Sequence, residues 1–319
     1  MIDYILEIEE TMSVLGLEIR EVTLFKYGLS QSTYKITAKT GIFVIKLFDR
    51  GLGSLIQNEI NNLRRISRHC EFCVRSINEK ILEVGDKIGY YYQYFDGKKI
   101  SSLKIDNIYF RFGELAARFD IALSELDFQK SEFAPKSLLS TFAEVQCIEM
   151  FSNDPTIISL VKRGCQILKT NKNYLDFSKV GIQYIHKDLH FDNVIYCKKT
   201  NNFFIIDTTG LRVHFLPKEL AVIIGNEFWS DKVEYKKIDD LLSGYLGLIR
   251  LNKTELSSIP LFIIDKKIGE LKFLQTQYIN GKLCEAMYFK HIKLSSRNLG
   301  SIIDNFSVIQ NYLEKYSED

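Results

Sequence analysis

A run of polar residues beyond the middle of the chain has the types and spacing needed for phosphoryl transfer. Residues 186–193 read His-Lys-Asp-Leu-His-Phe-Asp-Asn, and the apolar hairpin that follows ends at Asp207. Phosphoryl transfer depends mainly on positioning and charge neutralisation, with a carboxylate orienting the attacking hydroxyl and oxygen ligands holding magnesium. We therefore predict that Asp188 acts on the acceptor hydroxyl. We predict Asn193 and Asp207 as Mg²⁺ ligands.

The pattern H-x-D-L-H-x-x-N, followed by an apolar hairpin ending in Ile205-Ile206-Asp207, resembles the aminoglycoside phosphotransferase and choline kinase family. These are kinase-like small-molecule phosphotransferases, and the resemblance covers most of residues 20–250. It implies an α+β, bilobal, protein-kinase-like fold with a β-rich N-lobe and a larger α-helical C-lobe. It also implies that His186 and His190 brace the loop by hydrogen bonds.

Several residues nearer the N-terminus match the nucleotide-binding parts of that family. The loop that contains Ser30 resembles its phosphate-covering loop, and small residues there let backbone N–H groups approach phosphate oxygens. Lys46, in Val-Ile-Lys, resembles the strand lysine that reaches the α- and β-phosphates. Tyr94 and Phe95 end an apolar run that resembles the hinge receiving the adenine ring. The resemblance thus implies ATP, or GTP, with Mg²⁺.

Glu59 is predicted to be the partner of Lys46. It lies on a predicted helix, on one stripe with Leu55, Leu63 and Ile66. An unpaired carboxylate on an apolar face is costly to bury, and the strand lysine is its natural counter-charge.

The chain departs from the family pattern at two points. Lys187 follows the first histidine of the motif, where the family commonly has glycine, and it is interpreted as contacting substrate or phosphate or as changing the local packing. Thr208, Thr209 and Gly210 follow Asp207, where related kinases often carry an aromatic residue and an acid. Arg212 is positioned to clamp a carboxylate or phosphate of the acceptor. An A-P-E motif is absent, which argues against a eukaryotic-type protein kinase.

The elements that must position these residues change type along the chain. Strand patterns occupy most of residues 1–95, with one helix beginning near Ser54, and helix patterns follow Asp96-Gly97. We therefore predict a nucleotide-binding N-lobe over 1–95. A C-lobe over 96–319 would carry the catalytic loop, the metal site and the acceptor site. One of its predicted helices spans 137–149.

The composition excludes several other classes of protein. The 319 residues carry 42 Lys and Arg against 40 Asp and Glu, a net charge of +2, so no basic footprint for nucleic acid is present. No apolar run is long enough to span a membrane, and the acidic N-terminus is unlike a secretory signal. Cys70 and Cys73 form a single C-x-x-C pair, interpreted as reduced structural thiols rather than a zinc site. A cytoplasmic protein is expected.

The acceptor is not determined by these patterns. We expect an enzyme that phosphorylates a hydroxyl of a small molecule, of aminoglycoside, amino-acid, choline or sugar type. A kinase of a peptide Ser or Thr and a non-catalytic pseudokinase remain alternatives. All five motif positions are filled, which favours the enzyme: Lys46, Glu59, Asp188, Asn193 and Asp207.

Overall fold

The chain forms two compact units in a computed structural model that describes residues 4–27, 31–127, 154–172, 175–208, 210–228 and 233–317. The first unit consists of Met1–Leu103 together with Asp192–Thr209. The second consists of Lys104–Phe191 and Gly210–Asp319. The first unit thus extends to Leu103 and includes the segment 192–209. The N-lobe over 1–95 and the C-lobe over 96–319 stay predictions.

The first unit is built on a five-stranded antiparallel sheet with strand order β1-β2-β3-β5-β4. Its strands are β1 (Ile19–Tyr27), β2 (Gln31–Ala38), β3 (Gly41–Asp49), β4 (Leu82–Val84) and β5 (Lys87–Gln93). Two helices accompany it, α1 (Ile5–Val14) and α2 (Gly53–Ile66). Successive residues of a strand point to opposite faces, so the apolar run of β3 supplies two cores.

One core lies under α1 and the other under α2. Ile45 and Leu47 of β3 pack in a cluster that includes Ile8 of α1. Val44 and Phe48 pack in the cluster that includes Ile56, Ile60 and Leu63 of α2. Lys46 lies between Val44 and Phe48 in period-two alternation, so the strand itself directs its side chain to the α2 face.

Helix α2 differs in detail from its predicted form. Its buried face is formed by Ile56, Glu59, Ile60, Leu63 and Ile66. Leu55, which we predicted on that face, is 40% exposed. Leu55 has the same four-residue spacing to Glu59, but around the helix it lies at the edge of the buried face, one residue before Ile56.

A second, three-stranded sheet completes the first unit, with strand order β6-β8-β9. The strands are β6 (Lys98–Lys99), β8 (Val194–Cys197) and β9 (Asn202–Ile205). The segment after α2 contacts the β8–β9 hairpin through backbone pairing, because Cys73 forms an isolated parallel β-bridge with Ile205. Cys70 and Cys73 are both buried, free thiols.

Among its described residues, the second unit is helical apart from one antiparallel strand pair, β7 (Ile182–Ile185) with β10 (Arg212–Phe215). Its helices are α3 (Ile108–Ser124), α4 (Pro155–Lys172), α5 (Pro217–Glu227), α6 (Tyr235–Leu246), α7 (Lys253–Ile279), α8 (Glu285–Asp304) and α9 (Phe306–Glu314). Strand β10 was not predicted. The helix predicted over 137–149 lies outside the described residues.

Two glycines allow α3 and α6 to pack closely. A Cβ added at Gly113 would lie 2.1 Å from the carbonyl oxygen of Leu241, and one at Gly244 would lie 2.1 Å from that of Phe110. Only residues without a Cβ permit such backbone approach. No helix within the described ranges is long and apolar enough to cross a membrane.

Candidate active site

A cavity of about 430 Å³ in the first unit brings together most of the predicted site residues. Five of the eight line it: Lys46, Tyr94, Phe95, Asn193 and Asp207. The volume is typical of a small-molecule site, and largely apolar walls with a few polar groups are usual there. Val44 and Ile206 contribute to those walls. The cavity therefore offers an apolar slot for a flat ring and polar groups for an anionic tail.

A wider surface depression of about 690 Å³ lies elsewhere on the first unit, beside Gln57 and Arg64 of α2. It contains none of the predicted site residues, and Arg64 is paired there with Glu79. We therefore take the smaller cavity as the candidate active site, because it contains the predicted site residues and the larger depression does not.

The side chain of Lys46 is buried and forms an ion pair with Asp207. Its Nζ lies 2.9 Å from Oδ1 of Asp207, and the residue is only 3% exposed. Burial acts to lower the pKa of Lys46, but the carboxylate of Asp207 more than offsets it and holds the pKa above its ordinary value. The lysine is therefore fully charged at neutral pH.

The predicted pairing of Lys46 with Glu59 is not a direct contact. Within the described residues, the ion pair of Lys46 is with Asp207. The Glu59 carboxylate instead accepts hydrogen bonds from the hydroxyls of Tyr90 at 2.7 Å and Thr208 at 3.4 Å. Burial raises the pKa of Glu59 to about 7, against the lowering effects of Lys46 and Tyr90. A carboxyl group that is partly protonated at neutral pH attracts the lysine less than the ionised Asp207 does.

The β8–β9 hairpin sets the two predicted metal ligands side by side. Asn193 precedes β8 and Asp207 follows β9, and the backbone N–H of Ile206 donates to the carbonyl of Asn193 at 3.0 Å. Both side chains offer oxygen, the donor that Mg²⁺ prefers. Among the described residues, no group of three or more His, Cys, Asp or Glu could hold a metal. The donor set fits Mg²⁺, which is commonly bound by one or two protein oxygens plus substrate phosphates.

The remaining nucleotide-site predictions have different outcomes. Tyr94 and Phe95 follow the end of β5 and line the cavity. The ring of Tyr94 also lies near Lys35, whose Nζ is 5.0 Å from the ring centroid. Ser30 lies outside the described residues.

The loop that contains Asp188 belongs to the second unit and follows β7. His186 is buried, and its Nδ1 accepts a hydrogen bond from the backbone N–H of Asp188 at 3.3 Å. Asp188 is 58% exposed, with Oδ2 3.6 Å from Nε2 of His190. Burial acts to raise the pKa of Asp188, but His190 and the charge of Lys266 outweigh it and the pKa is lowered. Asp188 is thus an accessible, ionised carboxylate.

Lys187 has a backbone conformation that explains the glycine usual at this position of the family motif. Its φ is 66°, in the left-handed region that side chains other than Gly, Asn and Asp rarely adopt. The loop keeps this turn although the residue here is lysine. The strain of order 1–3 kcal/mol that such a residue carries must be offset by the contacts of the loop.

Comparison with solved structures decides the fold. Amicoumacin kinase, solved with AMP-PNP and Ca²⁺, matches with a TM-score of 0.68 at 16% identity, over 94% of this chain and 95% of that one. Spectinomycin phosphotransferase, solved with ADP and spectinomycin, matches with a TM-score of 0.64 at 15% identity, over 95% and 98%. The chain has the fold of these small-molecule kinases. An ethanolamine kinase from Plasmodium vivax matches at 0.62 with 13% identity, over 91% and 84%.

The predicted protein-kinase-like fold, with a β-rich N-terminal part and a helical C-terminal part, is therefore confirmed. No family model and no curated protein sequence matches the chain.

A buried carboxylate holds the loop that carries Asp188, and our sequence predictions did not include it. Glu219 of α5 is fully buried and accepts hydrogen bonds from the backbone N–H groups of His186 and of Lys187, the latter at 3.0 Å. Burial raises the pKa of Glu219 to about 7. Its signal in the sequence is a single acid ahead of the apolar run that begins at Leu220.

A second buried acid lies near Glu219. Asp120 of α3 is completely buried and accepts a hydrogen bond from the hydroxyl of Tyr245 at 2.7 Å. Burial and the neighbouring Glu219 raise its pKa well above the ordinary value. Burial thus raises the pKa values of two neighbouring acids of the second unit, and Glu219 is the one that contacts the loop.

Proposed function

We propose that this chain is a phosphotransferase that moves the γ-phosphate of ATP, with Mg²⁺, to a hydroxyl of a small molecule. The observation that carries the proposal is the buried ion pair of Lys46 with Asp207 at the wall of an apolar cavity that also contains Asn193. A buried lysine beside oxygen donors suits a polyphosphate with its metal. The kinase-like fold supports the same conclusion.

The residues of the first unit bind the nucleotide in this proposal. The apolar walls near Tyr94 and Phe95 receive the purine ring, and Lys46 binds phosphate oxygens. Asn193 and Asp207 hold Mg²⁺, which when bound neutralises charge on the phosphate oxygens. The backbone near Ser30 covers the phosphates, as the family resemblance implies. Glu59 helps to hold the side chain of Lys46 in the site through electrostatic attraction.

Asp188 of the second unit acts on the acceptor. Its ionised carboxylate accepts a hydrogen bond from the acceptor hydroxyl and takes the proton during transfer. The hydroxyl oxygen forms the new bond to the γ-phosphorus. The bond between that phosphorus and the β–γ bridging oxygen breaks, and ADP leaves with the electron pair. Glu219 and His186 position Asp188 through the loop backbone.

Nucleotide binding tests the first half of the proposal. Titration calorimetry with Mg·ATP and Mg·GTP on the full chain should show binding of at least one of them. Lys46→Ala should weaken that binding at least tenfold, since it removes a buried phosphate ligand. Lys39→Ala is the matched control, because Lys39 is an exposed lysine in the turn between β2 and β3, where it pairs with Glu18. Equal affinities for all three proteins would contradict the proposal.

Acceptor identity requires a screen of ADP formation across aminoglycosides, choline, homoserine, sugars and Ser/Thr peptides. Transfer that depends on Asp188 and yields a phosphorylated small molecule is the expected result. Transfer to peptides alone would support the protein-kinase alternative. Tight nucleotide binding without transfer to any of them would support the pseudokinase alternative.

A further inference from the structure

Three cationic side chains surround the loop that carries Asp188. Lys187 is its chain neighbour. Arg212 lies on β10 opposite Ile185, the last residue of β7 before the loop, and it acts electrostatically on Lys187. Lys266 of α7 acts on the Asp188 carboxylate. All these residues belong to the second unit.

Other lysines in the same region are already neutralised. Lys218 is buried and its Nζ lies 2.6 Å from Oδ2 of Asp265. Lys267 is also buried, with its Nζ 2.9 Å from Oε2 of Glu270. Each of these two buried lysines thus has a carboxylate within ion-pair distance.

The three cations around Asp188 lack such a partner among the described parts of the chain. No carboxylate there lies within 4.0 Å of the charged nitrogens of Lys187, Arg212 or Lys266. Lys266 donates instead to a neutral acceptor, the side-chain oxygen of Asn226, at 2.6 Å. The one exposed carboxylate between them, Asp188, lies against His190.

Carboxylates also act on these lysines, but from beyond ion-pair distance: Asp265 and Asp188 act on Lys187, and Asp188, Glu270 and Glu219 act on Lys266. Burial, together with the charges of Lys218 and Arg212, lowers the pKa of Lys187 to about 8. Burial and Lys267 lower the pKa of Lys266 to about 8. A desolvated cation without a counter-charge in direct contact is costly, and a bound anion relieves that cost.

We propose that the acceptor is an anionic hydroxyl compound, with a carboxylate or phosphate group held by Lys187, Arg212 and Lys266 beside Asp188. The inference rests on the proposed function, because it names the substrate class of the same transfer. Arg212 offers a planar fork that matches two oxygens, and the lysines add point charges. The acceptor hydroxyl is then presented to Asp188, while a polycation such as an aminoglycoside is repelled.

Binding of small probes to the full chain tests the proposal. With the nucleotide site saturated by Mg·AMP-PNP, calorimetric titrations compare D-glycerate and glycerol 3-phosphate with glycerol, choline and kanamycin. The two anions should bind at least tenfold more tightly than the neutral or cationic compounds. Comparing the affinity for D-glycerate with that for glycerol 3-phosphate shows whether the site prefers a carboxylate or a phosphate. Raising the salt concentration should weaken the binding of the anions.

Variants show whether the three cations are responsible. Arg212→Gln and Lys187→Gln should each weaken anion binding at least fivefold, and glutamine keeps most of the length and the polarity of both side chains, so folding should persist. Lys266→Met, at a half-buried position, should act in the same direction. Lys290→Gln on α8 is the control, because Lys290 is an exposed lysine that contributes nothing to the site. Anion binding that is absent, or unchanged in the Arg212 and Lys187 variants, overturns the proposed acceptor class.

The binding of Mg·AMP-PNP separates the two proposals. If the nucleotide binds in a Lys46-dependent way but the anions do not bind, only the acceptor class fails. If the nucleotide does not bind, the phosphotransferase proposal itself fails. Preferential binding of kanamycin to the wild-type chain would also overturn the anionic acceptor.

Discussion

The Nζ of Lys46 lies 2.9 Å from Oδ1 of Asp207, and this contact joins the middle strand of the five-stranded sheet to the end of the β8–β9 hairpin. The lysine is buried and the aspartate is mostly so, at 23% side-chain exposure. Glu59 interacts with the same lysine without an ion-pair contact. The electrostatics of the candidate nucleotide site therefore centre on Asp207.

This geometry predicts unequal couplings in two double-mutant cycles. The unfolding free energy should give a coupling of about 1–3 kcal/mol between Lys46→Met and Asp207→Asn, as for residues in direct contact. The coupling between Lys46→Met and Glu59→Gln should be smaller, because these side chains are not in contact and burial weakens the charge of Glu59. Urea denaturation of the single and double variants measures both. A larger coupling to Glu59 would show that the lysine pairs with it in solution.

Replacement of Asp188 should affect turnover and spare nucleotide binding. Asp188→Asn keeps the shape but removes the charge, so turnover with a competent acceptor should fall about 10²–10⁴-fold, the usual contribution of a proton-transfer group. That corresponds to roughly 3–5.5 kcal/mol of activation free energy. Affinity for Mg·ATP should change less than about threefold. Asp207→Asn, by contrast, should weaken Mg·ATP binding, because it removes a proposed metal ligand.

Replacement of a surface carboxylate provides the control for Asp188→Asn. Asp304→Asn removes an exposed carboxylate of the second unit that pairs only with Arg163 at the surface, so turnover should be unchanged. If Asp188→Asn keeps more than about a third of wild-type turnover with chemistry rate-limiting, Asp188 is not the group that acts on the hydroxyl.

The buried acids under the loop predict a specific pH dependence of stability. Because burial raises the pKa of Glu219 to about 7, the folded chain binds this proton more tightly than the unfolded chain does. Its contribution is complete below the unfolded pKa of about 4.3 and is lost as the pH rises through about 7. Glu219→Gln removes this titration. The free energy of unfolding of wild type relative to Glu219→Gln should therefore fall between pH 5 and 7.5.

Comparing the unfolding free energy of wild type with that of Glu219→Gln removes the effects of other titrating groups. Burial and the charges of Lys218 and Lys187 lower the pKa of His214 to about 2, which costs stability as the pH falls below about 6.5. That effect is common to both proteins. A difference in unfolding free energy that does not vary with pH would mean that Glu219 is ionised in the folded state.

Gly210 is predicted to be essential to the position of the catalytic loop. A Cβ at this residue would lie 2.4 Å from the carbonyl oxygen of His186 and 3.5 Å from Cβ of Asp188. Gly210→Ala must displace the loop backbone, so turnover should fall at least tenfold while Mg·ATP affinity changes little.

Another glycine provides a matched control for that substitution. A Cβ at Gly269, inside α7, meets nothing within 4 Å. Gly269→Ala should stabilise the chain by roughly 0.5–1 kcal/mol, because alanine is the better helix former. Retention of wild-type turnover by Gly210→Ala would show that the loop tolerates a shift of this backbone.

Local features of the sequence were sufficient to predict much of the fold and of the site. The alternation along β3 directs Lys46 to the α2 face, and helical spacing places Glu59 on the buried side of that helix. The motif at 186–193 and the apolar strand before Asp207 indicated three further candidate residues, Asp188, Asn193 and Asp207. These features can be predicted from the sequence because the periods of strands and helices depend only on neighbouring residues.

Contacts between distant segments depended on the tertiary structure. The sequence could not decide whether Lys46 would pair with Glu59 or Asp207, because that choice depends on where the β8–β9 hairpin lies and on how burial weakens the charge of Glu59. Nor could it place Glu219 beneath the loop, or give Lys187 a left-handed backbone. Coulomb attraction and desolvation act through space, so distances that only the fold sets decide which charges meet.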